Sequence, residues 1–481
     1  MKNIRVVKTN MLLALLVLFL IFTSYANAGL DYKPPEQEPI LIENQRQAQV
    51  PDSFSILIWN IGYCGLGAEA DFFMDGGEHS LAESKEVVKE HFEHIKKFIK
   101  EQNADIILLQ EVDEDAKRSY GVNQVEGLKS EFSDYSSGFA YNYKVPFVPV
   151  PLKKPMGRVK SGLLTLSKFD ILEMTRYSLP GEYSWPTRVF HLDRCILVAS
   201  IPIEKTRKRL LVINIHLSAF DKGGELRKQQ LAFLKEYILL QYGMGNYIIV
   251  GGDWNHSFPG FKNTFSNRKP DPDWLQYLPE DWVPEGWSFA YDKNHPTIRA
   301  NSTPYVKGDN FRTIIDGFLV SPNIKVDKIQ VFDLEFQNSD HNPVLMEVTL
   351  MNDNLEELPP VPEDPKKENN TPKFEGTPEC RNINDIERLD GETVAAFGIY
   401  RISEEKVDLK YHKKVFQGTY LEMEDGTHLI LSYIPPAAET YKDKKVKIIG
   451  TIHRRIPPEE EHIQRLIAPH LKDYNEIEII E

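Results

Sequence analysis

Short apolar runs that end in a polar side chain recur along the first 350 residues of the chain. Phe54 to Trp59 ends in Asn60, Asp105 to Leu109 runs into Gln110-Glu111, and Leu211 to Ile215 runs into His216. Tyr247 to Val250 leads into Gly251-Gly252-Asp253-Trp254-Asn255, and Thr313 to Ile315 meets Asp316, with Gly317-Phe318-Leu319-Val320 continuing. Ser339-Asp340-His341-Asn342-Pro343 stands before the run Val344-Leu345-Met346. Runs of this length, rich in β-branched residues and bounded by Gly or polar clusters, predict buried strands. Between them, Leu81 to Gln102 carries Val88, Phe92, Ile95 and Ile99 at spacings of four, three and four, the signature of an amphipathic helix lying on a sheet. Gly224 to Leu240 predicts a second helix, between His216 and the strand that leads to Asp253. Helices alternating with buried strands predict an α/β fold. His91 and His94, three apart on the first helix, are expected on its solvated face.

If the strand ends gather at one edge, Asn60, Glu111, His216, Asp253, Asn255, Asp316, Asp340 and His341 share a cleft. Phosphoester hydrolysis needs a cation for the phosphate, a base for water and donors aimed at the developing charge. Hard divalent ions take carboxylate and amide oxygens, which makes Glu111, with Asn60 beside it, the first candidate metal ligand. An imidazole is matched to proton transfer near neutral pH, especially beside a carboxylate. Each residue alone has a plainer explanation: an Asp-His pair as a turn, a strand-end His as structure, Asn255 as the turn residue after Gly251-Gly252.

Trp59-Asn60, Leu109-Gln110-Glu111, Ser161-Gly162-Leu163-Leu164-Thr165-Leu166-Ser167, Asn214-Ile215-His216, Gly252-Asp253-Trp254-Asn255, Ile315-Asp316-Gly317 and Ser339-Asp340-His341-Asn342-Pro343 occur in that order. Together they resemble the endonuclease/exonuclease/phosphatase superfamily with the deoxyribonuclease-I-like fold, over residues 52–350. The resemblance implies a four-layered α/β sandwich and a Mg²⁺-dependent hydrolase, with Mn²⁺ or Ca²⁺ as other candidate ions. It implies Asp340 as a further metal ligand beside Glu111 and Asn60, and His341 as the base, oriented by Asp316. Asp253 then assists either water activation or leaving-group protonation, and His216 and Asn255 donate hydrogen bonds to phosphate oxygens. Arg188 resembles a substrate-contacting Arg of several relatives, though a surface salt bridge explains it equally well.

Composition changes this picture mainly at the ends of the 481 residues. Lys2, Arg5 and Lys8 precede the apolar run Met11 to Phe22 and the small-residue ending Ala26-Asn27-Ala28, the pattern of a secretory signal peptide over 1–28. The expected location is therefore periplasmic or secreted. A Pro-bearing extended leader, 29–51, connects it to the first strand. The formal charge of -14 gains the chain little non-specific affinity for nucleic acid, but leaves room for a locally basic or metal-filled cleft. Cys64, Cys195 and Cys380 are too few and too scattered for a disulfide framework or a zinc site. Cys64 and Cys195 are expected as buried small hydrophobes.

Residues 351–379, dense in Pro and acidic side chains, read as a linker. Beyond it, Thr393 to Ile402, Val415 to Met423, His428 to Ile434 and Val446 to Ile452 alternate apolar and polar positions. They predict a small all-β barrel over 380–481 that resembles an oligonucleotide/oligosaccharide-binding (OB) barrel, with or without a ligand. Gly62 to Ser80, with five Gly residues plus Glu69, Asp71, Asp75 and Glu78, reads as a long mobile loop near the cleft. It matches no nucleotide-binding or calcium-binding motif, and no nucleotide cofactor is expected. The leading expectation is a nuclease acting on nucleic acid. Its rivals are a phospholipid phosphodiesterase, for which Phe147-Val148-Pro149-Val150 is the candidate membrane hairpin, a phosphoinositide phosphatase, and a secreted binding protein without turnover. The basic stretch Lys153, Lys154, Arg158 and Lys160 is expected as a solvated loop.

Overall fold

The computed structural model describes residues 32–351, apart from 45, 47, 182–186, 204–207, 220, 222, 244, 266–270 and 273, together with 379–381, 393–409, 414–424, 428–431, 441–453 and 470–480. The expected signal peptide and almost all of the Pro-rich linker lie outside the described residues. The chain divides into two compact units, Met1–Val361 and Pro362–Glu481.

The first unit is built on two sheets. In one, six strands lie in the order Ile324–Val331, Val344–Leu350, Ser53–Asn60, Ile106–Asp113, Gly157–Ser167 and Ser136–Val148. In the other, seven lie in the order Gln37–Pro39, Glu173–Ser178, Cys195–Pro202, Arg209–His216, Tyr247–Asp253, Asp316–Val320 and Ser288–Ala290. Three clusters of buried side chains set the layers. Ile56, Ile58, Leu163, Leu197, Val212, Ile249, Phe318 and Met346 fill the space between the sheets. Leu57, Ile107, Leu109 and Leu164 face outward from the first sheet against Val88, Phe92, Ile95 and Ile99 of the helix Lys85–Gln102. Ile213, Ile248 and Val250 of the second sheet pack against Leu231, Leu234 and Ile238 of the helix Glu225–Gly243. A strand such as Ser53–Asn60, covered on both faces, has to be apolar at successive positions, which is why its sequence is a run rather than an alternation.

The helix Lys85–Gln102 starts at Ser84, whose side chain accepts from the backbone N–H of Val87, and ends at Asn103 in the left-handed conformation (φ 50°). Its apolar stripe lies as predicted, but His91 does not face solvent. It is buried, with Nδ1 3.2 Å from the Cys64 carbonyl oxygen, because the Gly62–Ser80 segment folds over that face. His94 is exposed. The segment expected to be a mobile loop is pinned from beneath by Arg299, whose buried guanidinium donates to the carbonyls of Gly67 (2.6 Å), Ala70 (3.2 Å) and Leu66 (3.4 Å). The leader also carries structure. Gln37–Pro39 pairs antiparallel with Glu173–Ser178, and Ile40 and Ile42 pack against the core between the sheets.

Cys64, Cys195 and Cys380 are buried. Among the described residues, no helix is long and apolar enough to cross a membrane. In the second unit, Thr393–Leu409, Lys414–Glu422, His428–Leu431, His470–Ile479 and Lys445–His453 are hydrogen-bonded in that order, and Thr393–Leu409 also pairs with Lys445–His453. Val394, Ala396, Tyr400, Leu421, Leu429, Val446 and Ile448 form the core of this unit.

Candidate active site

The register of the second sheet brings three of the expected residues into one row. His216 is the Cα partner of Asp253 across a parallel pair, and Asp253 is the partner of Asp316 across an antiparallel pair. Asp316 thus begins its strand, rather than ending the run before it, yet reaches the same edge because its strand runs opposite to that of Asp253. Opposite this row, the first sheet presents Asn60 at the end of its strand, with Gln110 as its Cα partner. The turn before Val344–Leu350 carries Asp340 and His341. Two backbone features let these ends meet. Gly252, at φ 140°, lies so close to the Ile215 carbonyl oxygen that an added Cβ would be 2.2 Å from it. Gly62, at φ 49°, passes over Asp340, whose Oδ1 would lie 2.8 Å from a Cβ there.

His341 is the hub. Its Nδ1 lies 2.9 Å from Asp316 Oδ2 and 3.1 Å from Oδ1, and its Nε2 faces Asn60 Nδ2 (3.3 Å) and Asp253 Oδ2 (3.8 Å). Trp59 Nε1 donates to the His341 carbonyl oxygen at 2.9 Å, fixing the backbone behind the ring. Asp253 Oδ2 accepts from Asn60 Nδ2 (3.1 Å) and lies 3.3 Å from His216 Nε2, while its Oδ1 accepts from the Asn255 backbone N–H (2.9 Å). Burial works to lower the His341 imidazole, but the Asp316 carboxylate, with Asp253 and Asp340 behind it, outweighs burial and lifts it to about 10. Burial lifts the Asp253 carboxyl to about 7; Asp316 adds to this, and His341, the Asn255 N–H and Asn60 oppose it. Burial, helped by the charges of Arg194, His341 and Arg118, holds His216 well below its ordinary value, so this ring is neutral at physiological pH.

The two expected phosphate donors also have partners within the protein. The His216 ring turns Nε2 to Asp253, and its Nδ1 is buried with no hydrogen-bond partner. Asn255 is in the left-handed conformation (φ 50°) and gives one amide hydrogen to the Leu217 carbonyl oxygen at 2.8 Å. Both therefore shape the surroundings of Asp253, and Asn255 is also the turn residue that its sequence context suggested.

Glu111 reaches the cleft through an irregularity. The pairing of Ile106–Asp113 with Gly157–Ser167 shifts between Leu109 and Val112, and Glu111 lies in that bulge at φ 53°. A bulge turns one side chain out of the strand's alternation, and positive φ at a non-glycine residue is a strained conformation found at functional sites. Arg118 Nη1 lies 3.5 Å from Glu111 Oε2, while the rest of its buried guanidinium grips Asp113 (3.0 and 3.2 Å) and covers the Tyr63 ring. Asp340 accepts from Asn301 Nδ2 at 2.5 Å. Burial pushes the Glu111 carboxyl up and the Asp340 charge adds to it, against Arg118, Arg194 and His341.

The donor set at this corner suits a hard divalent ion. Asp253 fixes Asn60 Nδ2, which leaves Asn60 Oδ1 turned to the other side, where the Gly62 N–H donates to it (3.1 Å). Glu111 and Asp340 bring two carboxylates close enough for one to raise the other. Asp253, Asp316 and His341 also offer ligand atoms within 4.8 Å of one another, a second place where an ion could be held. Arg118, Asn301 and Arg194 were not found from sequence: each lies in a polar, aperiodic segment, and only the fold brings them to the cleft.

A two-sheet α/β sandwich with carboxylates, an amide and an imidazole gathered at one edge defines a phosphoester hydrolase scaffold. The model of the Endonuclease/Exonuclease/phosphatase family matches residues 58–341, more than half of the chain, which therefore belongs to that family. Its members are phosphoesterases that typically use divalent metals. Among solved structures, the endonuclease/exonuclease/phosphatase from Beutenbergia cavernae DSM 12333 is 16% identical, over 62% of this chain and 72% of that one, with a TM-score of 0.44. The human Nocturnin catalytic domain with bound sulfate anion is 16% identical over 65% and 98% of the two chains, with a TM-score of 0.40. D. rerio TDP2 complexed with single strand DNA product is 16% identical over 62% and 100%, with a TM-score of 0.39. No curated protein matches the chain.

Proposed function

We propose that the chain is an exported, Mg²⁺-dependent phosphodiesterase, and within that class a nuclease. The observation that carries the reading is the His341–Asp316 contact beside Asp253, with Glu111, Asp340 and Asn60 across the cleft. His341 Nε2 takes the proton from the attacking water, and Asp316 holds the resulting imidazolium. Asp253, with its carboxyl near 7, is protonated in part of the molecules at neutral pH and donates to the oxygen that leaves phosphorus. Asn60 and His216 keep Asp253 Oδ2 in place. Glu111, Asp340 and Asn60 would hold a divalent ion, whose charge would stabilise the phosphate oxygens and, by offsetting the carboxylates near His341, would bring that imidazole toward the range where it accepts a proton. Glu111, Asp340 and Asn60 are preferred to the Asp253–Asp316–His341 group as the ion's ligands, because the latter already satisfy one another.

The second unit supports the nuclease subtype. Its strand order and the pairing of its first and fourth long strands fit a closed five-stranded barrel of the OB kind, a fold that takes nucleic acid strands. A phospholipid substrate is favoured by one observation: the hairpin tip carries Phe147 (44% exposed), Val150 (44%) and Leu152 (88%) beside Lys153 and Lys154. Residues 1–28 are read as a cleaved export signal, with the protein periplasmic or secreted.

The test is to incubate the chain with supercoiled DNA and Mg²⁺, beside an EDTA control and His341→Ala, and follow nicking. Nicking that needs both the ion and His341 supports the nuclease. A folded wild-type protein that leaves DNA intact but cleaves sphingomyelin or phosphoinositide in vesicles moves the substrate to lipid.

A further inference from the structure

The segment Gly62–Ser80 delivers a carboxylate to the ion's corner that the motifs do not contain. Asp75 closes a single turn of 3-10 helix, Phe73–Asp75, capped by Gly76 at φ 94°. Its Oδ2 accepts from the backbone N–H of Asn301 at 3.2 Å, and the side chain of Asn301 donates to Asp340 Oδ2 at 2.5 Å. One residue therefore bridges the two carboxylates. The Asn301 carbonyl accepts from the Phe72 N–H at 2.7 Å, which ties the turn to this bridge. Asn301 is buried, and its Oδ1 has no hydrogen-bond partner. That oxygen shares an amide with the Nδ2 bound to Asp340, so an acceptor without a donor lies within a few ångströms of Asp340. Buried amide oxygens left unpaired beside carboxylates call for a cation or an ordered water.

The charges facing Asp75 agree with this. Burial pushes its carboxyl up to about 6; Asp340 adds to the rise, and the Asn301 N–H, Arg299 and His341 oppose it. Arg299 acts on Asp75 through its charge and not through a hydrogen bond: its Nη2 donates to the carbonyls of Leu66, Gly67 and Ala70, its Nη1 to those of Ala300 and Thr303, and its Nε has no partner. Glu69, on the same segment, turns instead to His91 Nε2 (3.6 Å). Arg299 thus anchors the Leu66–Ala70 part of the segment, and Asn301 links the later Asp75 to Asp340.

We propose that Asp75 is a further ligand of the divalent ion held by Glu111 and Asp340. This rests on the metal-dependent reading above. The segment is then a part of the metal site rather than a cover over it, and ion affinity depends on how the segment is anchored.

The experiment is a titration of the ion-free full chain with Mn²⁺ alone, with free Mn²⁺ followed by electron paramagnetic resonance, for wild type, Asp75→Asn, Glu69→Gln and Glu111→Gln. Asp75→Asn keeps an acceptor for the Asn301 N–H and is expected to weaken Mn²⁺ by roughly tenfold or more, with Glu69→Gln unchanged. The Mn²⁺-induced rise in melting temperature, each variant measured against its own ion-free form, gives the same ranking free of differences in intrinsic stability. An Asp75→Asn variant that binds Mn²⁺ like wild type, while Glu111→Gln is weakened, overturns the inference and leaves the metal-dependent reading standing. A wild-type chain that binds no Mn²⁺ overturns both.

Discussion

The two sides of the cleft are built on opposite principles. Along the row His216, Asp253, Asp316 and His341, the polar atoms other than His216 Nδ1 lie 2.9 to 3.8 Å from other protein atoms, and the neighbouring strands fix the spacing. At Glu111, Asp340 and Asp75, burial raises the Glu111 and Asp75 carboxyls and the Asp340 charge adds to both, against Arg118 at Glu111 and the Asn301 N–H at Asp75. In the proposed reading, the first side handles protons with groups that the chain supplies, and the second is completed by an ion. Substitutions should therefore separate cleanly, with loss of turnover at constant ion affinity on one side and loss of ion affinity on the other.

The largest expected effect is on the proton-handling side. His341→Ala should lower kcat by about 10² to 10⁴ while leaving Mn²⁺ binding unchanged. Asp253→Asn should fall by a similar factor on DNA, yet recover most of its activity on a bis-nitrophenyl phosphodiester, whose leaving oxygen needs no proton. Equal loss on both substrates would remove the leaving-group role of Asp253. On the ion side, Glu111→Gln should weaken the ion by roughly 10- to 100-fold, with activity restored in part by raising Mg²⁺. If a His341 variant loses the ion, or a Glu111 variant keeps it, the two sides are not separate.

Much of the proton-handling side was legible in the sequence. His216 and Asp253 follow apolar runs, and sheets covered on both faces make such runs conspicuous. The ion side was less so. Glu111 points into the cleft through a bulge between Leu109 and Val112, and a one-residue irregularity leaves no trace in hydrophobic periodicity. His91 was expected on a solvated face because nothing else in its segment suggests a metal; a segment more than ten residues away covers it, which periodicity cannot register. Asp75 was one acid among four in a segment without pattern, and what singles it out is Asn301, distant in the chain. For His216 and Asn255 the residue types implied donors, and the contacts with Asp253 and with the Leu217 carbonyl oxygen are set by the fold.

A smaller effect tests how the proton-handling side is held. Trp59→Phe removes the hydrogen bond to the His341 carbonyl oxygen and leaves that buried oxygen unpaired. It should destabilise the protein by about 1–3 kcal/mol in urea unfolding. If the Trp59 contact positions the ring, kcat falls while KM stays constant; unchanged kcat would make Trp59 a packing residue alone.

The smallest expected effect lies in the anchoring of the ion-side segment. Asp71 accepts from the backbone N–H groups of Glu78 (2.7 Å) and His79 (2.8 Å), and its Oδ2 lies 2.8 Å from His79 Nδ1. Burial works to raise this carboxyl, but those donors outweigh it and hold it below its ordinary value. A depressed carboxyl contributes stability that is present above its unfolded pKa, about 3.9, and lost as pH falls through the folded value. Asp71→Ala should therefore cost about 1 kcal/mol at pH 7, and the difference from wild type should shrink below about pH 4, where protonation weakens the same contacts in wild type. Because Asp71 closes the turn that carries Asp75, the variant should also weaken Mn²⁺ slightly while leaving the intrinsic activity of the ion-saturated enzyme unchanged. A loss of ion-saturated turnover in Asp71→Ala would show that the segment reaches His341 and Asp253 as well, and the division between the two sides would fail at that point.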